Sequence, residues 1–364
     1  MARWRLITGV AGVATGVIAA GAGVVLAAEK IAVGRQRMRT DSEAGEPLGE
    51  LRGRPLTVLA SDGAALHTEI DGPDDAPVTV IFCHGYALNQ DIWHYQRRDL
   101  ADLGRLVFWD QRGHGRSGRA GHGAGSSAAP VSIDQLGEDL YAVLRATSPG
   151  AAPVVLVGHS MGGMTIMALA QQHPDLFGTK VVGSVLINTT ARGLDSGSPW
   201  MPAPIRPLLS RALPVVLAGA AKGRRAILVE RSRQMTDLAF LGSRVFGFGD
   251  GEISPAVISF LGEMVGATPI EVVARFGQAL LLCDKRDALA TVGRAPTTVM
   301  VAEKDRLISP RLGIELAMDI PGSHLIWVPG AGHALILERP GLVNEAITGM
   351  LAQVEAGGNL PRSA

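Results

Sequence analysis

The feature that most restricts the fold is a series of short apolar runs rich in β-branched residues, each followed by a glycine-marked turn and a helical pattern. The six runs are Val78 to Cys83, Leu106 to Trp109, Val154 to Val157, Val181 to Ile187, Thr297 to Val301 and His324 to Val328. Continuous apolar strands that alternate with helices are typical of a parallel sheet covered on both faces. The sequence therefore predicts an α/β fold with a mostly parallel, doubly wound sheet.

Two segments that precede this series predict an antiparallel hairpin at one edge of the sheet. Pro55 to Ser61 and Ala65 to Asp71 flank the turn-forming pair Asp62-Gly63. Covering helices are expected where the apolar residues recur with helical spacing. These stretches are Ile133 to Ala146, Met161 to His173, Pro310 to Met318 and Ala334 to Gln353.

The alternation of strands and helices is interrupted between about residues 194 and 294. Only helical patterns occur there, and prolines break them repeatedly. We expect residues 194–294 to form a helical cap over the carboxyl edge of the sheet, inserted into a core of residues 55–193 and 295–355. A chain of 364 residues is long enough for one large domain with such an insertion.

An uncharged segment near the amino terminus is distinct from the rest of the chain. Leu6 to Ala28 carry no charge over 23 residues and have basic residues on both sides. A helix of this length rises about 34 Å, enough to cross the hydrocarbon layer of a membrane. Residues 1–34 are therefore predicted to be a membrane anchor, with a cleaved signal peptide and secretion as the alternative, because small residues resemble cleavage sites. Residues 35–54, rich in Glu, Arg and Gly, are expected to be a polar linker.

Charge and cysteine content exclude several classes of protein. Lysine plus arginine equal aspartate plus glutamate at 34 each, so no overall field attracts nucleic acid. The two cysteines, Cys83 and Cys283, are too few and too far apart for a disulfide framework or a metal site, and both are expected to be buried. No metal and no organic cofactor is expected, and the oligomeric state is left open.

The most specific local motif is a serine between a predicted strand and a predicted helix. Gly158-His159-Ser160-Met161-Gly162 follows an apolar strand directly and has the form G-x-S-x-G. Such a turn forces the serine into a strained backbone conformation that needs glycine on both sides. The amino end of the following helix then directs its N–H groups and dipole towards the serine. The sequence predicts that Ser160 is a nucleophile.

A hydroxyl is a weak nucleophile, so it needs a base and a third group to orient that base. His333 lies in a glycine-rich loop after the last predicted strand, and Asp305 lies just beyond the strand before it. The order Ser, Asp, His, each at the carboxyl end of a strand, is the one this architecture uses. We therefore predict Ser160, Asp305 and His333 as the catalytic residues, with Glu303 as the competing acid.

An attacked carbonyl acquires a negative oxygen that preorganised donors must meet. The backbone N–H of Met161 is one predicted donor. The other is expected in the loop after the Val78 to Cys83 strand, where the backbone N–H of Tyr86 follows a glycine. His84 in this loop is open to two interpretations, a catalytic role or a hydrogen bond that braces the loop.

Taken together, these motifs resemble the α/β-hydrolase superfamily over roughly residues 55–353. In the order typical of that family, the chain carries His84-Gly85, the stretch from Asp110 to Ser117, the Ser160 motif, Asp305 and Gly332-His333. The resemblance implies that Asp110 and Arg112 form a structural turn beneath the site. Epoxide hydrolases and haloalkane dehalogenases of this superfamily use an aspartate nucleophile, and the serine found here argues against both activities.

Within the serine branch, the chain is similar to bacterial esterases and monoacylglycerol-lipase-like enzymes with a helical lid. The resemblance implies cleavage of a small-molecule ester through an acyl-enzyme intermediate. An apolar cap favours a lipophilic ester with an apolar acyl group, although the same residues could equally fill the cap's own core. The candidate pocket residues are Met201, Leu208, Leu209, Phe240, Leu241, Phe246 and Phe260.

Three other functions remain open at this point. A thioesterase or a hydrolase of carbon–carbon bonds would carry the same three residues. A cofactor-free haloperoxidase-type enzyme uses the same fold. From a different class, the chain could be a membrane-tethered binding protein without catalysis.

Overall fold

The computed structural model describes residues 41–118, 131–148, 150, 152–193 and 240–357. Within these ranges the strands form one eight-stranded sheet with the order β1-β2-β4-β3-β5-β6-β7-β8. The strands are β1 (Arg54–Leu59), β2 (Ala65–Asp71), β3 (Thr79–Cys83), β4 (Arg105–Trp109), β5 (Val154–His159), β6 (Val181–Ile187), β7 (Thr297–Ala302) and β8 (His324–Val328). β1 pairs antiparallel with β2 and β2 antiparallel with β4, whereas the remaining neighbours are parallel. The predicted hairpin and mostly parallel sheet are confirmed.

Helices follow the strands as the alternating pattern predicts. The α-helices that lie wholly within the described ranges are α1 (His94–Asp99), α2 (Ile133–Thr147), α3 (Met161–Gln172), α4 (Pro255–Ala267), α5 (Ile270–Leu281), α6 (Leu289–Val292), α7 (Pro310–Asp319), α8 (Leu335–Glu338) and α9 (Pro340–Ala356). α2 shows why the boundaries fall where they do: the Ser132 hydroxyl accepts a hydrogen bond from Gln135 N–H at 3.1 Å and caps the helix. Arg145 in the last turn complements the helix dipole.

The central strands are buried on both faces, which explains their continuous apolar composition. In β3, Ile81 and Cys83 face the cluster that includes α2, α3, α6 and α7. Val80 and Phe82 alternate with them and face the cluster that includes α1, α8 and α9. Full burial of a side chain such as Phe82 contributes roughly 2 to 3 kcal/mol to the free energy of unfolding. The fold class predicted from the sequence is confirmed.

The carboxyl ends of the parallel strands meet at one edge of the sheet. Ser160 follows β5, Asn188 follows β6, Asp305 lies three residues beyond β7, and His333 lies five residues beyond β8. Because β5, β6, β7 and β8 are consecutive neighbours, the four residues lie on adjacent loops at that edge. The sheet therefore places residues that are up to 173 positions apart in sequence next to one another.

Residues 41–53, which fall in the predicted polar linker, pack against the domain. The Glu46 carboxylate bonds His94 Nε2 at 2.7 Å and Arg98 at 2.9 Å, both in α1. The Asp41 carboxylate accepts a hydrogen bond from the hydroxyl of Ser254, the residue before α4. This segment connects α1 of the core with α4 of the predicted cap.

The described part of the predicted cap, residues 240–294, contains α4, α5 and α6. α4 belongs to the cluster on the α1 face of the sheet, and α5 contributes Val272, Phe276 and Leu280 to the cluster on the α3 face. Phe240 and Phe260 are buried in the first of these clusters. Met201, Leu208 and Leu209 lie outside the described residues, as does the predicted anchor.

Of the helices that the structure describes, no single one is both long and apolar enough to cross a membrane. α4 and α5 reach the required length and apolarity only as a pair, and they are bent by 94° at the residues between them. Residues 1–34, on which the anchor prediction rests, lie outside the described ranges.

Candidate active site

Ser160 has the strained backbone conformation that its motif predicts. Its φ of 53° and ψ of −118° lie where non-glycine residues are rarely found. A Cβ atom on Gly162 would overlap the carbonyl oxygen of Cys83, and one on Gly158 would lie 2.7 Å from the backbone nitrogen of Gly163. The two motif glycines are therefore required because the turn brings α3 against β3 and β5.

Backbone hydrogen bonds from the next loop hold this strained turn. Ser160 N–H donates to the Ile187 carbonyl at 2.9 Å, and the Thr189 hydroxyl donates to the Ser160 carbonyl at 2.7 Å. Gly163 N–H also donates to that carbonyl at 3.0 Å. The serine is 9% exposed, so it is nearly enclosed by its surroundings. The turn is therefore fixed on both sides of the nucleophile candidate.

Asp305 and His333 meet as the sequence analysis predicts. His333 Nδ1 lies 2.7 Å from Asp305 Oδ2, and both residues are buried. The second carboxylate oxygen of Asp305 accepts from the N–H groups of Leu307 and Ile308 at 2.8 and 2.9 Å. Because the carboxylate accepts, Nδ1 carries the proton, which leaves Nε2 as a hydrogen-bond acceptor. A histidine in this tautomer can remove a proton from a hydroxyl.

Glu303, the competing acid, bonds a different group. Its Oε2 accepts from Gly330 N–H at 2.8 Å, at the start of the loop that carries His333. Its Oε1 lies 3.6 Å from Lys304 Nζ in an exposed ion pair. The structure therefore brings Asp305, rather than Glu303, to the imidazole of His333.

The loop after β3 carries the predicted oxyanion donor Tyr86. Within the described residues, no acceptor bonds the backbone N–H of Tyr86 or that of Met161, the first residue of α3. A Cβ on Gly85 would lie 2.9 Å from His159 Nδ1, so glycine lets this loop pass close to the serine turn. Both N–H groups are thus free of the described part of the chain and lie on segments that adjoin the turn of Ser160.

His84 braces this loop. Its Nδ1 donates to the Gly85 carbonyl at 2.7 Å, and its Nε2 accepts from Gln111 N–H at 2.9 Å. Burial lowers the pKa of His84 to about 4, because the charged imidazolium would lose its hydration. A neutral ring with both nitrogens bonded to backbone matches the bracing interpretation.

The loop is also attached to the predicted cap. The Tyr86 hydroxyl donates to the Val273 carbonyl in α5 at 2.5 Å, and the Thr268 hydroxyl donates to the Ala87 carbonyl at 2.9 Å. Burial raises the pKa of Tyr86 to about 12, so its hydroxyl remains a donor. Two hydrogen bonds thus connect the segment that carries Tyr86 N–H with the cap helices.

Asp110 and Arg112 have the contacts of structural residues. The Asp110 carboxylate accepts from the N–H groups of Gln90 and Arg116 at 2.7 and 2.8 Å, and it is fully buried. Arg112 forms a bidentate ion pair with Asp139 at 2.5 Å for each bond and a second pair with Asp62. These bonds fix the turn beneath the loop of Tyr86.

The sequence analysis did not single out Asn188. This buried residue follows β6, and its side-chain amide bonds the loop of His333. The available signal was a polar residue placed directly after a buried strand, at the same edge as the three predicted residues. That signal is weak, because such a position also suits a turn or a helix cap.

Comparisons with known proteins agree with the fold and with the class of chemistry. A family model described as "Alpha/beta hydrolase family" matches residues 80–346. The chain is 26% identical to 3-oxoadipate enol-lactonase 2 of Acinetobacter baylyi, over 80% of this chain and 95% of that protein. It is 27% identical to a non-heme haloperoxidase of Rhodococcus erythropolis, over 79% and 96% of the two chains.

Solved structures give the same result. A thermophilic esterase from Thermogutta terrifontis, solved with malate bound, aligns with a TM-score of 0.60 and 25% sequence identity. The alignment covers 82% of this chain and 98% of that chain. The resemblance to the superfamily that the motifs indicate is confirmed by the family match and by this structural neighbour.

Proposed function

The chain belongs to the alpha/beta hydrolase family, and on that premise we propose that it is a serine hydrolase of carboxylic esters with an apolar acyl group. The observation that carries the proposal is the 2.7 Å hydrogen bond between His333 and Asp305, at the same sheet edge as the strained Ser160. One esterase and one lactonase among the similar proteins support the ester chemistry.

In the first half-reaction, Ser160 attacks the ester carbonyl. His333 Nε2 takes the hydroxyl proton as the Ser160 Oγ–carbon bond forms, and it then donates that proton to the departing alkoxide. Asp305 keeps Nδ1 protonated and stabilises the imidazolium that exists between the two transfers. In the second half-reaction, water attacks the acyl-enzyme with His333 again as base, which releases the acid and restores Ser160.

The negative oxygen of each tetrahedral intermediate is met by the backbone N–H groups of Tyr86 and Met161. Donors that are already oriented need no reorganisation when the charge develops, and removal of one such donor typically costs about 10²- to 10³-fold in turnover. The two hydrogen bonds from the Tyr86 loop to Val273 and Thr268 of the predicted cap support this role, because they fix the loop that carries the Tyr86 N–H.

The apolar composition of the described part of the predicted cap favours an apolar acyl group. α4 contains one charged residue, Glu263, and contributes Val257, Ile258 and Phe260 to an apolar cluster. A hydrophobic pocket gains roughly 0.8 kcal/mol for each methylene that it removes from water. We therefore expect the specificity constant kcat/KM to rise with acyl length up to the size of the pocket.

The proposal is tested with Ser160→Ala. We expect p-nitrophenyl butyrate hydrolysis and labelling by a fluorophosphonate probe to fall to background, while the melting temperature changes little, because the hydroxyl is not part of the core. Ser184→Ala is the matched control, since Ser184 is a fully buried serine in β6. That control should retain both hydrolysis and labelling. Unchanged turnover in Ser160→Ala would refute the proposal.

A second candidate, a cofactor-free haloperoxidase-type activity, is favoured by the similarity to the haloperoxidase of Rhodococcus erythropolis. Peroxide would then replace water in attacking the acyl-enzyme, so the same three residues would act. An assay of halide oxidation in the presence of peroxide and acetate separates the two candidates. Comparing kcat/KM for an ester and a thioester with the same acyl group distinguishes an esterase from a thioesterase.

A further inference from the structure

Hydrogen bonds to several neighbouring segments hold the loop from Gly330 to Ala334, which carries His333. Gly330 N–H donates to Glu303 and Gly332 N–H to Glu338, each at 2.8 Å. The carbonyls of Gly330 and Ala331 accept from the N–H groups of Asp250 and Lys304 at 3.0 and 2.8 Å. The position of the imidazole is therefore fixed through the backbone of its loop as well as through Asp305.

Asn188 completes this set from the neighbouring strand. Its Nδ2 donates to the carbonyls of Gly332 and His333 at 3.0 and 2.9 Å. Its Oδ1 accepts from Ala302 N–H at 2.9 Å, at the end of β7. One side-chain amide thus joins the two carbonyls at His333 to the strand that ends three residues before Asp305.

The backbone at Asn188 explains how the amide reaches both loops. Asn188 N–H, just beyond the carboxyl end of β6, donates to the Met300 carbonyl of β7 at 2.9 Å. This is the last backbone hydrogen bond at that end of β6. The chain then turns away with a φ of 45°, a conformation that asparagine tolerates better than most residues. The side chain replaces the backbone as the partner of Ala302 N–H, and its amide nitrogen is left facing the loop of His333.

His159 adds a second hydrogen-bond donor to the carbonyl of His333. Its Nε2 lies 2.8 Å from the His333 carbonyl oxygen, and no described residue bonds its Nδ1. Burial, with a smaller contribution from His333, lowers the pKa of His159 to about 3, so the ring stays neutral. The carbonyl of His333 thus accepts from both the serine turn and Asn188.

Residues 187–189, which include Asn188, also hold the turn of Ser160. Ile187 accepts from Ser160 N–H and Thr189 donates to the Ser160 carbonyl, so the residues on both sides of Asn188 bond the backbone of Ser160. On the basis of the proposed function, we propose that Asn188 is a positioning residue that sets the distance between His333 and both Ser160 and Asp305. It acts through the carbonyls of Gly332 and His333 and does not touch the substrate.

Asn188→Asp tests this role because the carboxyl group has the same shape and tolerates the same φ. One oxygen of the ionised carboxylate can still accept from Ala302 N–H. The other oxygen replaces the amide nitrogen of Asn188 and lies about 3 Å from the carbonyl oxygens of Gly332 and His333, where only a hydrogen-bond donor is favourable. Its protonated form supplies a donor again. Burial and the two carbonyls raise the pKa of the introduced carboxyl, so the correct contacts exist at low pH and are lost as the pH rises through that pKa.

The measurement is the ratio of kcat/KM for p-nitrophenyl butyrate, Asn188→Asp over wild type, between pH 5.5 and pH 9. Taking the ratio cancels any pH dependence that the two proteins share. We expect the ratio to fall by about tenfold or more as the pH rises, because small displacements of a base are costly. The other titratable groups around the introduced carboxyl are His333, Asp305, His159 and Glu338, and wild type contains all four.

Asn344→Asp is the matched control. Asn344 is a buried asparagine in α9 that bonds Gln96 and Asp99, away from the loop of His333. We expect this variant to lower the melting temperature without a pH-dependent ratio. A flat ratio in Asn188→Asp, with Ser160 still labelled in wild type, would refute the inference and leave the proposed function intact. Absence of labelling in folded wild type would instead refute the proposed function.

Discussion

At the scale of single residues, the two acidic side chains after β7 have different partners. Asp305 bonds His333 and two backbone N–H groups, so its charge is both paired and fixed. Within the described residues, Glu303 bonds Gly330 N–H and the half-buried Lys304. The imidazole therefore depends directly on one carboxylate and only indirectly on the other.

We predict that Asp305→Asn lowers kcat for ester hydrolysis by about 10³- to 10⁴-fold, because an amide that donates to Nδ1 stabilises the wrong tautomer. Glu303→Gln should lower kcat by less than about tenfold, since a neutral oxygen can still accept from Gly330 N–H. Steady-state kinetics of the two purified variants checks both values. The reverse ranking would identify Glu303 as the acid.

At the scale of elements, α2 and α3 pack so closely that a glycine separates them. A Cβ atom on Gly137, inside α2, would lie 2.9 Å from both the carbonyl carbon and the Cβ of Ala168 in α3. α3 begins directly after Ser160, so this contact fixes the helix whose first N–H belongs to Met161. The spacing of two helices thus bears on the proposed oxyanion site.

We predict that Gly137→Ala lowers the free energy of unfolding by about 1 to 3 kcal/mol, because overpacking outweighs the better helix propensity of alanine. Gly349→Ala is the matched control: Gly349 lies exposed in α9, and a Cβ there meets nothing within 4 Å. The control should gain about 0.5 to 1 kcal/mol. Urea titration of the two variants measures both changes, and stabilisation by Gly137→Ala would contradict the packing argument.

At the scale of the whole molecule, three buried histidines link stability to pH. Burial lowers the pKa of His84 to about 4 and the pKa values of His114 and His159 to about 3, from an ordinary 6.5. Above pH 6.5 these rings are neutral in both the folded and the unfolded chain. Below it the unfolded chain takes up protons that the folded chain does not, so stability is lost as the pH falls.

We expect the free energy of unfolding to change little through these groups above pH 7 and to fall between pH 6.5 and pH 4. Each histidine contributes a limiting slope of about 1.4 kcal/mol per pH unit. His114→Gln should remove one such contribution, so the slope should fall by up to about 1.4 kcal/mol per pH unit. Denaturant unfolding at several pH values checks this, and an unchanged slope in His114→Gln would contradict it.

The amino-terminal region gives a second prediction at this scale. Deletion of residues 1–34 should yield a folded, active protein, because the contacts of Asp41 and Glu46 with Ser254, His94 and Arg98 remain. Deletion through residue 53 removes those contacts and should lower the melting temperature by several degrees, since about 1 kcal/mol shifts it by about 2 to 4 °C. Thermal unfolding and ester hydrolysis of both truncations check this; an inactive but folded first truncation would contradict it.

Anchoring by residues 1–34 stays a prediction that membrane fractionation of the full chain tests.

The secondary-structure elements and the local geometry could be predicted from the sequence. Continuous apolar runs predicted the parallel sheet, because only strands buried on both faces need such a composition. The glycines around Ser160 predicted the strained turn because the G-x-S-x-G pattern itself is local, although the atom that a Cβ on Gly162 would meet belongs to β3. These features depend on neighbours in the chain, so they can be read from the sequence.

Which distant side chains form hydrogen bonds with one another can be learned only from the tertiary structure. Two carboxylates after β7 lie at similar distances from His333 in sequence, 30 residues for Glu303 and 28 for Asp305. Only the packing of the loops placed Asp305, rather than Glu303, on its imidazole. Asn188 drew no attention in the sequence, yet it bonds carbonyls 144 and 145 residues away. Such bonds depend on strand order and register, which no local pattern encodes, because they arise only when distant segments pack together.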